Sequence, residues 1–284
     1  MLGSGALLGS AVAPFQGKGT GETTLLRELL SFFKDSDILL GDAIFENYFL
    51  IALLQSGGVD VVFEKNGARH LDFRKCDQKL GKKDGLIRLK RPPRPGWMSK
   101  EYYEQWVPEE MTLRIVKSKK RIIVTTLLDA DKYPRNEIAC LYQKRWHVEL
   151  DFRAIKSLMH MDILRCKTPE MVRKEIDVHL LVYNLIRALM AQSAVELKNK
   201  PREISFKAAQ ETLQAFHVLL IQTEAEVLVS LVEHMLMITG EHRVGNRPGR
   251  HEPRAVKRRP KPYKRLQHSR VQARRLSEYQ REKA

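Results

Sequence analysis

With 284 residues and 43% apolar side chains, the chain can bury one large or about two ordinary domain cores, which excludes a disordered protein. The net charge of +16 is unevenly spread: residues 241 to 284 hold 15 Lys and Arg against 4 Glu, a net of +11, so a polyanion is the expected partner. Three scattered cysteines, Cys76, Cys140 and Cys166, exclude a disulfide framework and show no zinc spacing.

The apolar start, Met1 to Pro14, has no basic stretch before it and reads as a strand remnant rather than an export signal. No uninterrupted apolar run reaches the ~18 residues of a membrane span. Gly17-Lys18-Gly19-Thr20-Gly21 lacks the spacing and the Ser or Thr of a phosphate-binding loop, and reads as the turn before a helix over 22–34. Residues 37–42 read as a short buried strand ending on Asp42, followed by an apolar helix from Ala43 to about Gln55 that Gly57 and Gly58 stop. From Val59 to about Leu128 short β-branched and aromatic runs alternate with Gly, Pro and Lys clusters, as in an antiparallel meander with strands over 59–63, 70–73, 86–89, 112–116 and 121–127. From Pro134 to about Gly240 the pattern is helical, and the Pro-, Arg- and Lys-rich remainder reads as an extended arm.

Within the helical part, Tyr142, Arg145, Glu149 and Lys156 follow one another at steps of three, four and seven residues. At about 100° per residue their side chains fall within about 60° of one another, with Leu141, Val148, Phe152 and Ile155 forming the adjoining apolar face. A carboxylate framed by cations suits a metal ion facing a phosphate, while an ordinary Arg145–Glu149 i,i+4 pair on a solvated helix is the plainer reading. Asp42 likewise has two readings, a metal ligand at a strand end or the N-cap of the following helix. Asp35, Asp37 and Asp151 read as surface or capping acids.

The intervals Tyr142-(2)-Arg145-(3)-Glu149-(6)-Lys156 match at all four positions the Y-(2)-R-(3)-E-(6)-K signature of DDE transposases of the IS-four insertion-sequence family. The likeness continues through 17–22, Gly41-Asp42-Ala43, Tyr133-Pro134, and Glu252-Pro253-Arg254 to Lys261-Pro262-Tyr263. The chain thus resembles a transposase of that family. The resemblance implies an α/β fold with an RNase H-like catalytic core interrupted by a β-rich insertion, a helical C-terminal part and a basic tail. The implied division is a first part of the core over 1–58, the insertion over 59–128, the helical remainder over 129–240 and the tail over 241–284.

The resemblance also implies metal-dependent cleavage and strand transfer of DNA at insertion-sequence ends. Asp42 and Glu149 would be the second and third acidic residues, holding two Mg²⁺ ions, with Mn²⁺ as a substitute. Tyr142, Arg145 and Lys156 would contact phosphates. Trp97 could stack on an unpaired base or simply pack in its proline-rich loop, and Lys257, Arg258 and Arg259 would bind DNA without reading bases. Family members carry a first catalytic Asp upstream of the 17–22 region, whereas no Asp precedes Asp35 here, so a shortened and catalytically impaired copy is expected. A non-catalytic DNA-binding or transposase-inhibiting chain is the alternative. The implied partners are double-stranded DNA, both transposon ends and target, and a second copy or a full-length transposase. A prokaryotic cytoplasm, at the nucleoid and away from membranes, is the implied setting.

Overall fold

The structure is a computed structural model that describes residues 1–245 apart from 15, 18 and 120, together with seven of the residues from 269 to 279. Lys257, Arg258 and Arg259 lie outside the described residues, as does Lys18. Residues Met1–Val244 make one unit, and Gly245–Ala284 fall in a second.

The first helix, α1 (Glu22–Glu28), gives way to a 3₁₀ turn at Leu30–Phe32. Strand β1 (Ile38–Gly41) follows, then α2 (Tyr48–Ser56) and β2 (Asp60–Glu64). Next come β3 (Gln78–Gly81), β4 (Asp84–Lys90), α3 (Lys100–Trp106), β5 (Glu110–Ser118) and β6 (Arg121–Thr125). The six strands form one sheet in the order β1-β2-β6-β5-β4-β3, with β1 and β2 parallel and every other pair antiparallel.

Strand alternation divides the side chains between two cores. Leu39, Val61, Phe63, Leu113, Ile115 and Val124 pack with α2 and α3 on one face. Leu40, Val62, Val116 and Ile123 face α4 (Arg135–Gln143) on the other, through its Ile138 and Tyr142. Helix α4 continues through a 3₁₀ turn at Lys144–Trp146 into α5 (His147–Arg153) and a π-helical turn at Ala154–Leu158. Three longer helices close the unit: α6 (Pro169–Glu196), α7 (Phe206–Gln222) and α8 (Ala225–Glu241).

Several expectations are corrected. Residues 1–14 form no strand; Leu7 instead exchanges two hydrogen bonds with the Asn184 amide on α6, and Gly5 O accepts from Tyr183. Residues 70–73 are not a strand, because Asp72 accepts from Arg74 N and turns the chain into a 3₁₀ helix. Helix α2 starts five residues later than expected, at the Asn47 cap. Helix α6 is long and apolar enough to cross a membrane by length and composition, although only 39% of its most apolar stretch is buried in the structure. Its charged residues hid this from a search for uninterrupted apolar runs.

Candidate functional site

Asp42 follows directly on β1, at the end of that strand. Its Oδ1 accepts from Ile44 N at 3.0 Å, closing a tight turn, and it does not cap α2. That cap is Asn47, whose Oδ1 accepts from Phe49 N and Leu50 N, so the capping reading of Asp42 does not hold. Gly41 precedes it for a steric reason: a Cβ there would stand 2.8 Å from the Phe63 ring. The buried Glu46 ties down the same turn by accepting from Asn66 N and Arg69 Nε.

Alternation puts Asp42 on the face of Leu40, toward α4, and Glu64 on the face of Val62. The parallel register pairs Gly41 with Phe63, so Asp42 and Glu64 stand at the same level one residue further on. Glu64 Oε2 accepts from the Tyr142 hydroxyl at 3.0 Å and lies 3.4 Å from the Arg121 guanidinium. Tyr142 is only 3% exposed. Burial, and then the bond to the Glu64 carboxylate, push its phenol up to about 12. This hydroxyl therefore fastens α4 to the sheet and stays protonated at neutral pH.

The start of α4 is fastened as well. Arg114, fully buried in the middle of β5, makes a bidentate pair with Asp84 at 2.8 and 2.6 Å. Its remaining nitrogen donates to the carbonyls of Leu127, Asp129 and Tyr133, the loop that delivers the chain to Pro134 and α4. An arginine between leucine and isoleucine in a β-branched run was the sequence signal for this residue.

Seven residues beyond Tyr142, Glu149 is exposed and sits 3.9 Å from Arg145. Lys156 is exposed, 5.3 Å above the Phe152 ring, and lies inside the π turn, where Met159 N donates to Ala154 O. The tight 3₁₀ turn and the wide π turn break the 100° spacing, so the four signature residues do not share one narrow stripe. The adjoining apolar face is also corrected: Ile155 is buried, but Val148 and Phe152 are 42% and 48% exposed.

What faces inward from α5 is Asp151. Its Oδ1 accepts from Arg187 at 2.6 Å and from Arg202 at 2.7 Å, and its Oδ2 accepts from Arg202 at 2.9 Å. The expectation of a surface acid is overturned, and the signal was its position three and four residues before the buried Ala154 and Ile155. Beside it, His147 is held below the usual imidazole range by burial and then by the Arg202 charge, and its buried Nδ1 has no hydrogen-bond partner.

Glu149 thus lies between two anchors, Tyr142 on the sheet and Asp151 on the helices. Among the described residues no hydrogen bond or ion pair links Asp42 to Arg145, Glu149 or Lys156, and no three His, Cys, Asp or Glu side chains converge to hold a metal ion. Trp97 is 48% exposed, with the Arg27 guanidinium 3.9 Å over its ring and the Phe49 ring at its edge.

Residues 10–185 match the transposase DDE domain family. The chain is 29% identical over 257 residues to the transposase InsG for insertion sequence element IS4 of Escherichia coli (strain K12). That alignment covers 85% of this chain but 55% of the relative, so the chain spans about half the length of that protein. It is 38% identical over 72 residues to the transposase for insertion sequence element IS421 of Escherichia coli, which covers 25% of this chain and 19% of that protein. No solved structure matches.

Proposed function

This chain belongs to the DDE transposases, of the IS4 type, and from that membership we propose that it acts in DNA transposition as a carrier of the second and third catalytic carboxylates. The observation that carries the proposal is the coupling of strand end to helix: Asp42 and Glu64 end neighbouring parallel strands on one face, and Tyr142 fastens to Glu64 the helical rod that bears Glu149. In this reading β1, β2 and the helical rod belong to an RNase H-like core, and the strands between them form its insertion.

Asp42 and Glu149 offer the hard oxygen donors that Mg²⁺ or Mn²⁺ prefers. Two metal ions in such a site would activate the attacking oxygen and stabilise the leaving one. The donor type fits, but two carboxylates fall short of a two-ion set, and no catalytic step is derived through the metal. The division of labour we propose gives phosphate contacts to Arg145 and Lys156, one Arg and one Lys on an exposed surface, and leaves Tyr142 the task of aiming them. Trp97 keeps the base-stacking assignment on the ring face away from Arg27. The cluster at Lys257, Arg258 and Arg259 supplies salt-sensitive, sequence-independent DNA binding. Double-stranded transposon ends and target DNA, in a prokaryotic cytoplasm, complete the proposal.

Incubating the full chain with labelled insertion-sequence ends and Mn²⁺ tests it, beside Asp42→Asn, Glu149→Gln and a form extended upstream by an Asp-bearing segment. The expected result is salt-dependent binding by every form and cleavage only in the extended one, lost on either carboxylate change. Cleavage in the extended form that survives Glu149→Gln would sink the assignment. A second reading, a DNA-binding or transposase-inhibiting chain without catalysis, is favoured by the absence of three converging metal ligands among the described residues. Binding without cleavage in every form would select it.

A further inference from the structure

Helix α6 is apolar on two opposite faces. Tyr183, Ile186, Met190 and Ala194 turn inward and are buried. Opposite them runs a second apolar row that nothing in the unit covers. Met171, Val178 and Leu185 are 47%, 59% and 55% exposed and repeat every seven residues. Leu181, exposed Ala188 and Val195 repeat at the intervening steps of three and four, with Leu181 at 59% and Val195 at 77%. Two polar residues, Lys174 and Gln192, fill the remaining two places, both exposed. A spacing of three and four kept for seven turns is the seam of a two-helix coiled coil, so the expected occupant is another helix.

We propose that this occupant is α6 of a second copy, packed antiparallel about a two-fold axis near residue 183. In that register each residue faces the one whose number completes 366: Met171 meets Val195, Val178 meets Ala188 and Leu181 meets Leu185. The two polar interruptions then meet each other, Lys174 against Gln192, and apolar residues fill every other layer. A parallel in-register pair would stack Lys174 on Lys174. A two-fold interface must be complementary to itself, and the antiparallel register satisfies that at all eight positions.

The seam lies on the side of α6 away from α7 and α8, so the two bodies sit outside the helix pair and do not collide. The exposed apolar side chains offer roughly 600 Å² per copy, so two copies bury about 1,200 Å², the lower end of the range for specific interfaces. The association depends on α6 alone and is independent of the DNA chemistry.

Sedimentation of the full chain from 1 to 100 μM tests this without DNA. The expected result is a dimer, weakened at least a hundredfold by Leu181→Glu with Leu185→Glu at unchanged helical content. Gln192→Glu, a surface change facing Lys174 of the other copy, should tighten the dimer about two- to fivefold at low salt. That variant decides the question if the double change disturbs folding. In a Cys140→Ser background, Val178→Cys mixed with Ala188→Cys should form disulfide-linked dimers, and Val178→Cys alone should not, its two copies lying about 15 Å apart along the seam. A chain that stays monomeric at 100 μM overturns the proposal. So does a dimer indifferent to the seam changes, self-linking by Val178→Cys, or association seen only with detergent or lipid vesicles.

Discussion

Arg114 in the sheet and Arg187 in the helices are both nearly inaccessible and both paired with an aspartate, yet their surroundings differ. Around Arg114 the sheet is covered on both faces, and between residues 22 and 133 five large apolar side chains are exposed. Around Arg187 the helices pack on one side only, and between residues 134 and 244 eighteen are exposed. A sheet has two faces to hide, and the flanking helices hide them within one chain. The helical part buries one stripe of each helix and leaves the rest unpartnered, so it is the part that expects company.

Breaking the two ionic anchors should show the largest effects. Asp151→Asn strands two arginines, one of them buried, and should cost about 3–5 kcal/mol by urea unfolding. Asp84→Asn should cost less, because Arg114 keeps three carbonyl acceptors. An equal loss in both would mean the carbonyls contribute nothing. Gly41→Ala should cost about 1–3 kcal/mol, since the new methyl must displace the fully buried Phe63, and it should also disturb Asp42 next door.

Tyr142→Phe removes the hydroxyl bond to Glu64 and should cost about 1–2 kcal/mol. The same bond gives a pH test. With the folded phenol near 12 and the unfolded one near 10, the contribution is fully present below pH 10. It is lost as pH rises toward 12, by no more than about 2 kcal/mol after discounting for partial solvent access. The alkaline unfolding profile of Tyr142→Phe should lack this drop. At the small end, Val229→Ser on the 65% exposed face of α8 should change stability by less than about 0.5 kcal/mol.

Much of this was legible in the sequence where one strong signal acted alone. The β1 strand, the Gly57 stop of α2 and the helical character after Pro134 follow from period and breakers. Where two local signals competed, the outcome depended on packing. Asp42 and Asn47 are both good helix caps, and the turn tied down by Glu46 gave the role to Asn47. Strand β3, with its polar Gln78-Lys79, carries no β-branched residue because it is an edge strand with exposed side chains. Helix α3 had a readable start in Ser99, which accepts from Tyr102 N. The site was legible as a set of residues but not as an arrangement, since a constant 100° step cannot foresee a 3₁₀ turn or a π turn.

The π turn at Ala154–Leu158 amounts to one residue too many for a regular helix. Deleting a single position there, Ser157 for instance, would restore ordinary winding and rotate everything downstream by about 100° relative to Glu149. The turn therefore works like the vernier of an instrument: its one surplus residue fixes the azimuth at which the Glu149 carboxylate leaves the helix while Asp151, two positions on, stays locked to Arg187 and Arg202.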